Sequence, residues 1–125
     1  MNISKFTQKS VQAVQDLEKV AYEYGNQEIE QEHLLHTLLT QEDSLILKLI
    51  EKMEINKEYF LNTVKNALDA KVKVSGGELR FGQYLNKALV NAEDEAKAMG
   101  DEYVSVEHLF LALLKYCLLY TSDAA

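Results

Sequence analysis

A glutamate and two histidines, in the order Glu32-His33-x-x-His36, are the residues of this 125-residue chain whose types and spacing first suggest chemistry. His33 and His36 lie three apart and can share one face of a helix, where two imidazoles would ligate zinc and a neighbouring glutamate would act as a base. The order is nevertheless not His-Glu-x-x-His, and no third ligand stands out. Structural and catalytic zinc sites need three or four protein ligands, so a metal site is rejected. Cys117 is the only cysteine, which excludes a disulfide framework and a thiolate cluster. No Ser-His-Asp arrangement can be argued from the order of residues, and no acid–base pair stands apart among the twenty acids. The run Glu93-Asp94-Glu95 reads as a solvated helix face. No Gly-x-x-x-x-Gly-Lys-Ser/Thr run occurs, so the chain has no Walker-type phosphate loop. The expectation is a chain with no catalytic residue, no metal and no cofactor of its own.

Composition describes the scaffold that holds these residues. Hydrophobic residues make up 47% and charged residues 26%, proline is absent and there are five glycines. That balance suits a single all-α domain of helices joined by short turns. The net charge of −7 gives no general attraction to nucleic acid or to an anionic membrane, so neither is expected as a partner. The start, Met1 to Lys5, lacks the apolar core of a secretory signal, and no stretch is long and apolar enough to span a bilayer. A cytoplasmic location is the expectation.

An internal repeat organises the chain. Shifting the sequence by 75 residues aligns Phe6–Thr40 with Phe81–Lys115 without a gap, and eleven of the 35 pairs are identical. Among them are Phe6 with Phe81, Ala13 with Ala88, Ala21 with Ala96, Gly25 with Gly100 and Glu32-His33-Leu34 with Glu107-His108-Leu109. His36 pairs with Leu111, so the histidine pair is not itself repeated. Each unit predicts two helices. Val11, Val14, Leu17 and Ala21 share one face of the first, and Leu85, Ala88, Leu89, Ala92 and Ala96 one face of its counterpart. Thr7 is the expected N-cap, and Gly25 and Gly100 are the expected stops, where left-handed backbone carries no Cβ penalty. The second helix starts near Gln31 and Ser105, with Glu32 and Glu107 favouring the helix dipole from the first turn.

Two further helices follow in the first unit only, one with Leu45, Ile46, Leu49, Ile50 and Met53 on a face, the other with Phe60, Leu61, Val64, Ala67 and Leu68 behind an Asn56 cap. The expected organisation is repeat one over 6–70, a flexible connector over 71–80 around Gly76-Gly77, and an incomplete repeat two over 81–116. Residues 117–125 resemble the in-frame translation of a transposon-end sequencing adapter and are expected to be non-native. Leaving them aside removes the only cysteine and changes the charge from −7 to −6, because only Asp123 is lost. With two helices missing from repeat two, Leu109, Leu113 and Leu114 are expected to be partly uncovered.

The opening Lys5-Phe6-Thr7-Gln8-Lys9, the turn Tyr24-Gly25-Asn26-Gln27-Glu28-Ile29 and the start Glu32-His33-Leu34-Leu35 resemble the Clp N-terminal domain. The run from Gly100 to Leu109 is most similar to the ClpB type. The resemblance implies an all-α fold of two pseudo-symmetric four-helix repeats, of which this chain would supply about six helices. It also implies a module tethered to a hexamer of AAA+ rings, which use ATP and magnesium and are absent here. Unfolded or aggregated polypeptides would be its partners. By the same resemblance, Thr7, Asp101 and Glu107 form a polar cluster concerned with substrate, and Val14 and Leu89 line the neighbouring groove. Their counterparts under the repeat are Gly82 for Thr7, Asn26 for Asp101 and Glu32 for Glu107. Helix capping and dipole duties compete for Thr7 and Glu107. Two other functions stay open: a stand-alone helical adaptor or scaffold, and the adaptor-docking domain of a ClpC- or ClpA-type unfoldase.

Overall fold

The computed structural model describes residues 3–115 as six α-helices with a short 3-10 turn at Ile3–Lys5. Helix α1 spans Gln8–Glu23, α2 Gln31–Thr40, α3 Leu45–Lys52, α4 Lys57–Asp69, α5 Gln83–Ala98 and α6 Val106–Leu113. The expected tail, and Tyr116 before it, lie outside the described residues. Helix α1 starts where Thr7 Oγ1 accepts from the Ser10 N–H, and α4 where Asn56 Oδ1 accepts from the Tyr59 N–H. Each cap satisfies a donor that the first helical turn leaves orphaned. Gly25 and Gly100 follow α1 and α5 with φ of 69° and 74°, the left-handed backbone that ends a helix.

Two pieces of parallel backbone pairing tie the repeats together, and periodicity could not have announced them. Strand β1, Glu28–Ile29, pairs with β2, Arg80–Phe81, in the register Ile29 to Phe81. Phe6 bridges Val104 in the same sense. The 75-residue shift converts one pairing into the other, so each repeat lends the segment before its first helix to the segment before the other repeat's second helix. Matching hydrogen bonds run from the Thr7 N–H to Val104 O at 2.9 Å and from the Gly82 N–H to Ile29 O at 2.7 Å. This cross-repeat exchange places the N-terminus of α1 beside that of α6.

The core runs through both repeats, with Leu17, Leu34, Leu38, Leu68, Leu85, Leu109 and Leu113 fully buried. Ala88, Ala92 and Ala96 let α5 approach its neighbours closely, which is the use of a small-residue stripe. Two expectations are corrected here. Leu109 and Leu113 are not uncovered, and only Leu114 is half-buried. Helix α6 lies against α5, α2, α3 and α1, so repeat one supplies its cover. Nor is Glu93-Asp94-Glu95 wholly a solvated face: Glu95 is 8% exposed and lies 2.9 Å from Lys115 Nζ. Its position on α5 faces inward, and the ion pair offsets the cost of burying the carboxylate.

Candidate functional site

The starts of α2 and α6 carry the same buried device. The Glu30 N–H donates to His33 Nδ1 at 2.8 Å, and the Ser105 N–H donates to His108 Nδ1 at 2.9 Å. Both imidazoles are enclosed, at 0% and 3% exposure. Since Nδ1 accepts, Nε2 carries the hydrogen and donates it to an acceptor in the preceding turn: Asn26 Oδ1 at 3.0 Å for His33 and Asp101 Oδ2 at 2.8 Å for His108. A histidine at the third helical position thus satisfies an orphan backbone donor and pins the turn after the glycine. With both ring nitrogens engaged, His33 has no lone pair left for a metal.

Ser105 Oγ also lies 3.0 Å from His108 Nδ1, so Ser105, His108 and Asp101 stand in the hydrogen-bond order of a hydrolytic triad. The order of residues in sequence conceals this arrangement. It is a capping device nonetheless: the Ser105 N–H already uses Nδ1, the ring is buried, and the counterpart of Ser105 is Glu30. Burial, and next the charge of Lys71, push the His33 pKa down to about 4, so the ring is neutral at pH 7. His36 is also held below its ordinary value by burial and then by the Lys65 charge. Its ring stands edge-on to Tyr24 at 5.8 Å.

The cross-repeat exchange brings Thr7 and Glu107 to one cleft of about 400 Å³. It lies between the starts of α1 and α6 and the turn from α2 to α3, with Thr7, Lys9, Leu45, Ser105, Val106 and Glu107 on its walls. Leu45 is 42% exposed and Glu107 is exposed, so both an apolar side chain and a carboxylate are presented to solvent. Lys9 is tied to the Glu42 carbonyl at 2.8 Å and Asp43 to Lys48 at 2.6 Å. The walls thus set two hydrogen-bond acceptors, the Thr7 hydroxyl and the Glu107 carboxylate, beside the apolar side chains of Leu45 and Val106.

The other sequence-derived candidates are placed differently. Asp101 is half-exposed and spends one oxygen on His108, so its first duty is to fix the start of α6. Val14 is half-buried on α1, while Leu89 is 1% exposed and belongs to the core. Neither is among the residues lining the cleft. In repeat one, the counterpart acid Glu32 is met by Lys71, whose ammonium lies 3.2 Å from Glu32 Oε1 and 2.9 Å from Glu30 Oε2. Burial alone would lower the Lys71 pKa, but the Glu30 hydrogen bond and the Glu32 charge outweigh it and raise the value. The capping roles of His33 and His108 and the ion pairs of Lys71 escaped the sequence reading, in which His33 entered only as a rejected zinc ligand. A signal was present in the seven-residue spacing of Asn26 to His33 and of Asp101 to His108, repeated under the shift.

The Clp repeat (R) N-terminal domain family matches residues 5–117. The chaperone protein ClpB of Nitratidesulfovibrio vulgaris is 39% identical over 120 residues, covering 92% of this chain and 14% of its own length. The chain therefore spans about one seventh of that relative. The crystal structure of the Hsp104 N-terminal domain from Candida albicans superposes with a TM-score of 0.83 at 20% identity, covering 94% of this chain and 78% of that one. A ClpV N-domain in complex with a VipB peptide superposes with a TM-score of 0.70 at 20% identity, covering 90% of this chain and 69% of that one. The shared fold, the match across both repeats and the ClpB relatives establish that the chain belongs to the Clp repeat N-terminal domain family.

Proposed function

We propose that the chain is the substrate-engaging N-terminal module of an ATP-driven, ClpB-type protein disaggregase. It holds unfolded or aggregated polypeptide and passes it to AAA+ rings, which carry the ATP and magnesium chemistry. The observation that carries this reading is the cleft in which Thr7, Ser105 and Glu107 meet over Leu45 and Val106, with polar acceptors beside apolar surface. The peptide held by the ClpV N-domain supports a polypeptide occupant for this fold. Binding by one cleft is weak, because ordering a flexible chain offsets much of the gain from burying its side chains. Six tethered copies in a hexamer compensate by avidity.

Asp101→Asn combined with Glu107→Gln tests the reading in the full-length chaperone. Asparagine at position 101 keeps the acceptor for His108, as Asn26 does for His33, so the start of α6 is preserved. Reactivation of aggregated protein should fall about tenfold while basal ATP hydrolysis stays unchanged, corresponding to about 1.4 kcal/mol of lost binding. Normal reactivation by this folded variant would remove the cleft as the substrate site.

A further inference from the structure

Three charged side chains line the cleft: Lys9, Asp43 and Glu107. Two of them are engaged within the chain. The Lys9 ammonium donates to the Glu42 carbonyl at 2.8 Å, and Asp43 is paired with Lys48 at 2.6 Å. Glu107 is exposed and forms no ion pair among the described residues. In the first turn of α6 its carboxylate is satisfied by water and by the helix dipole. A polypeptide laid against Leu45 and Val106 removes part of that water. The carboxylate must then be met by an opposite charge, or the contact costs free energy.

The acid of the first repeat shows how the chain itself meets such a need. Glu32 holds the place in α2 that Glu107 holds in α6, within the shared run Glu-His-Leu. Its carboxylate is met by Lys71, whose ammonium lies 3.2 Å from Glu32 Oε1. The segment that delivers this lysine, Lys71-Val72-Lys73-Val74, is non-helical and alternates basic with apolar residues. Its backbone is held as well: Val72 O accepts from Asn26 Nδ2 at 3.1 Å, and the Val74 N–H donates to Gly25 O at 2.9 Å. The Lys73 side chain lies over Gly25, where a Cβ would stand 3.6 Å from Lys73 Cδ. Among the described residues nothing comparable reaches the start of α6, since a Cβ at the counterpart Gly100 would meet no atom within 4 Å. The acid of repeat one is matched from within the chain, and that of repeat two is left to a partner.

We infer that the open cleft selects extended polypeptide in which a basic side chain stands beside an apolar one. The cation pairs with Glu107, and the apolar group lies against Leu45 and Val106. This preference rests on the reading of the cleft as a polypeptide site. Lys9 also lines the cleft, so a single basic residue among apolar ones suits it better than a basic run. An acidic residue at the same place in the polypeptide is repelled by Glu107.

Fluorescence anisotropy with three labelled peptides measures the selection. Each is short and without stable structure, with apolar residues around one central position. That position holds lysine, acetyl-lysine (the same length without the charge) or glutamate. At low salt the parent chain should bind the lysine peptide about threefold to fivefold more tightly than the acetyl-lysine peptide, the scale of an exposed ion pair. The difference should shrink at high salt. Glu107→Gln should abolish it. Glu18→Gln, which removes the same charge from an exposed position on α1, should retain it. Glu107→Lys should reverse the order in favour of the glutamate peptide, which loss of helix stability alone does not produce. Leu45→Ser should weaken all three peptides alike. Circular dichroism checks the fold of each variant, and the comparison of peptides on the parent chain stands whether or not a variant folds. Equal affinity of the parent chain for all three peptides, with Leu45→Ser still weakening them, overturns the basic preference and leaves the polypeptide cleft standing. A lysine preference that survives in folded Glu107→Gln belongs to the acidity of the whole chain and also overturns it. Unchanged binding in both folded Leu45→Ser and folded Glu107→Gln removes the cleft itself as the site.

Discussion

His33 sits between a donor and an acceptor, and the donor requires its ring neutral. The Glu30 N–H needs a lone pair on Nδ1, and Asn26 needs a hydrogen on Nε2. Its pKa of about 4 lies below the ordinary 6.5, so as pH falls the unfolded chain takes up a proton first. The stabilisation is complete above the unfolded value and is lost as pH drops from 6.5 toward 4. Urea midpoints should therefore decrease over that window, by an amount approaching about 3 kcal/mol for this residue alone. His33→Gln should be less stable at pH 7 by about 1–3 kcal/mol, because buried partners lose their bonds. Its midpoint should also vary less with acid than that of the parent chain. An equally steep decline in the variant would assign the acid sensitivity to other groups. At this scale the sequence was partly legible. The caps Thr7 and Asn56 could be read because hydroxyl and amide side chains before an apolar period have a local meaning. The histidine device left only the repeated seven-residue spacing of Asn26 to His33 and Asp101 to His108 as a trace, because the ring must be buried for its contacts to close.

The helices themselves were legible from apolar spacing, since a consistent pattern over successive turns leaves little choice of face. Their cover was not. Leu38 on α2 and Leu113 on α6 are counterparts under the repeat, and both are completely buried. Counting helices per repeat predicts unequal burial. The observed packing removes that difference, because α3 of the first repeat lies against α6. Leu38→Ala and Leu113→Ala should accordingly each cost about 2–5 kcal/mol in urea unfolding. A Leu113→Ala loss below about 1 kcal/mol would show that α6 is less well covered than its burial indicates. The two-residue strands were illegible for a different reason. Two residues have no period, and their pairing joins positions more than fifty residues apart.

For the whole molecule, exchange between the repeats matters more than either repeat alone. Pairing Phe6 with Val104 sets the α1 cap against the α6 cap, and this makes a cleft from residues nearly a hundred positions apart. Thr7 and Glu107 were identifiable only through family resemblance, since nothing local connects them. Leu45, Ser105 and Val106 joined the cleft only once the fold was in hand. The most direct measurement compares the two acids that the duplication makes equivalent. Fluorescence anisotropy with a labelled, permanently unfolded polypeptide should give weak binding by the parent chain, in the micromolar range or weaker. Glu107→Ala should weaken it about tenfold, a change of about 1.4 kcal/mol. Glu32→Ala, whose carboxylate is already held by Lys71, should leave the affinity at the open cleft unchanged. Equal losses from the two substitutions, or none from Glu107→Ala, would contradict a polypeptide site at Thr7, Ser105 and Glu107.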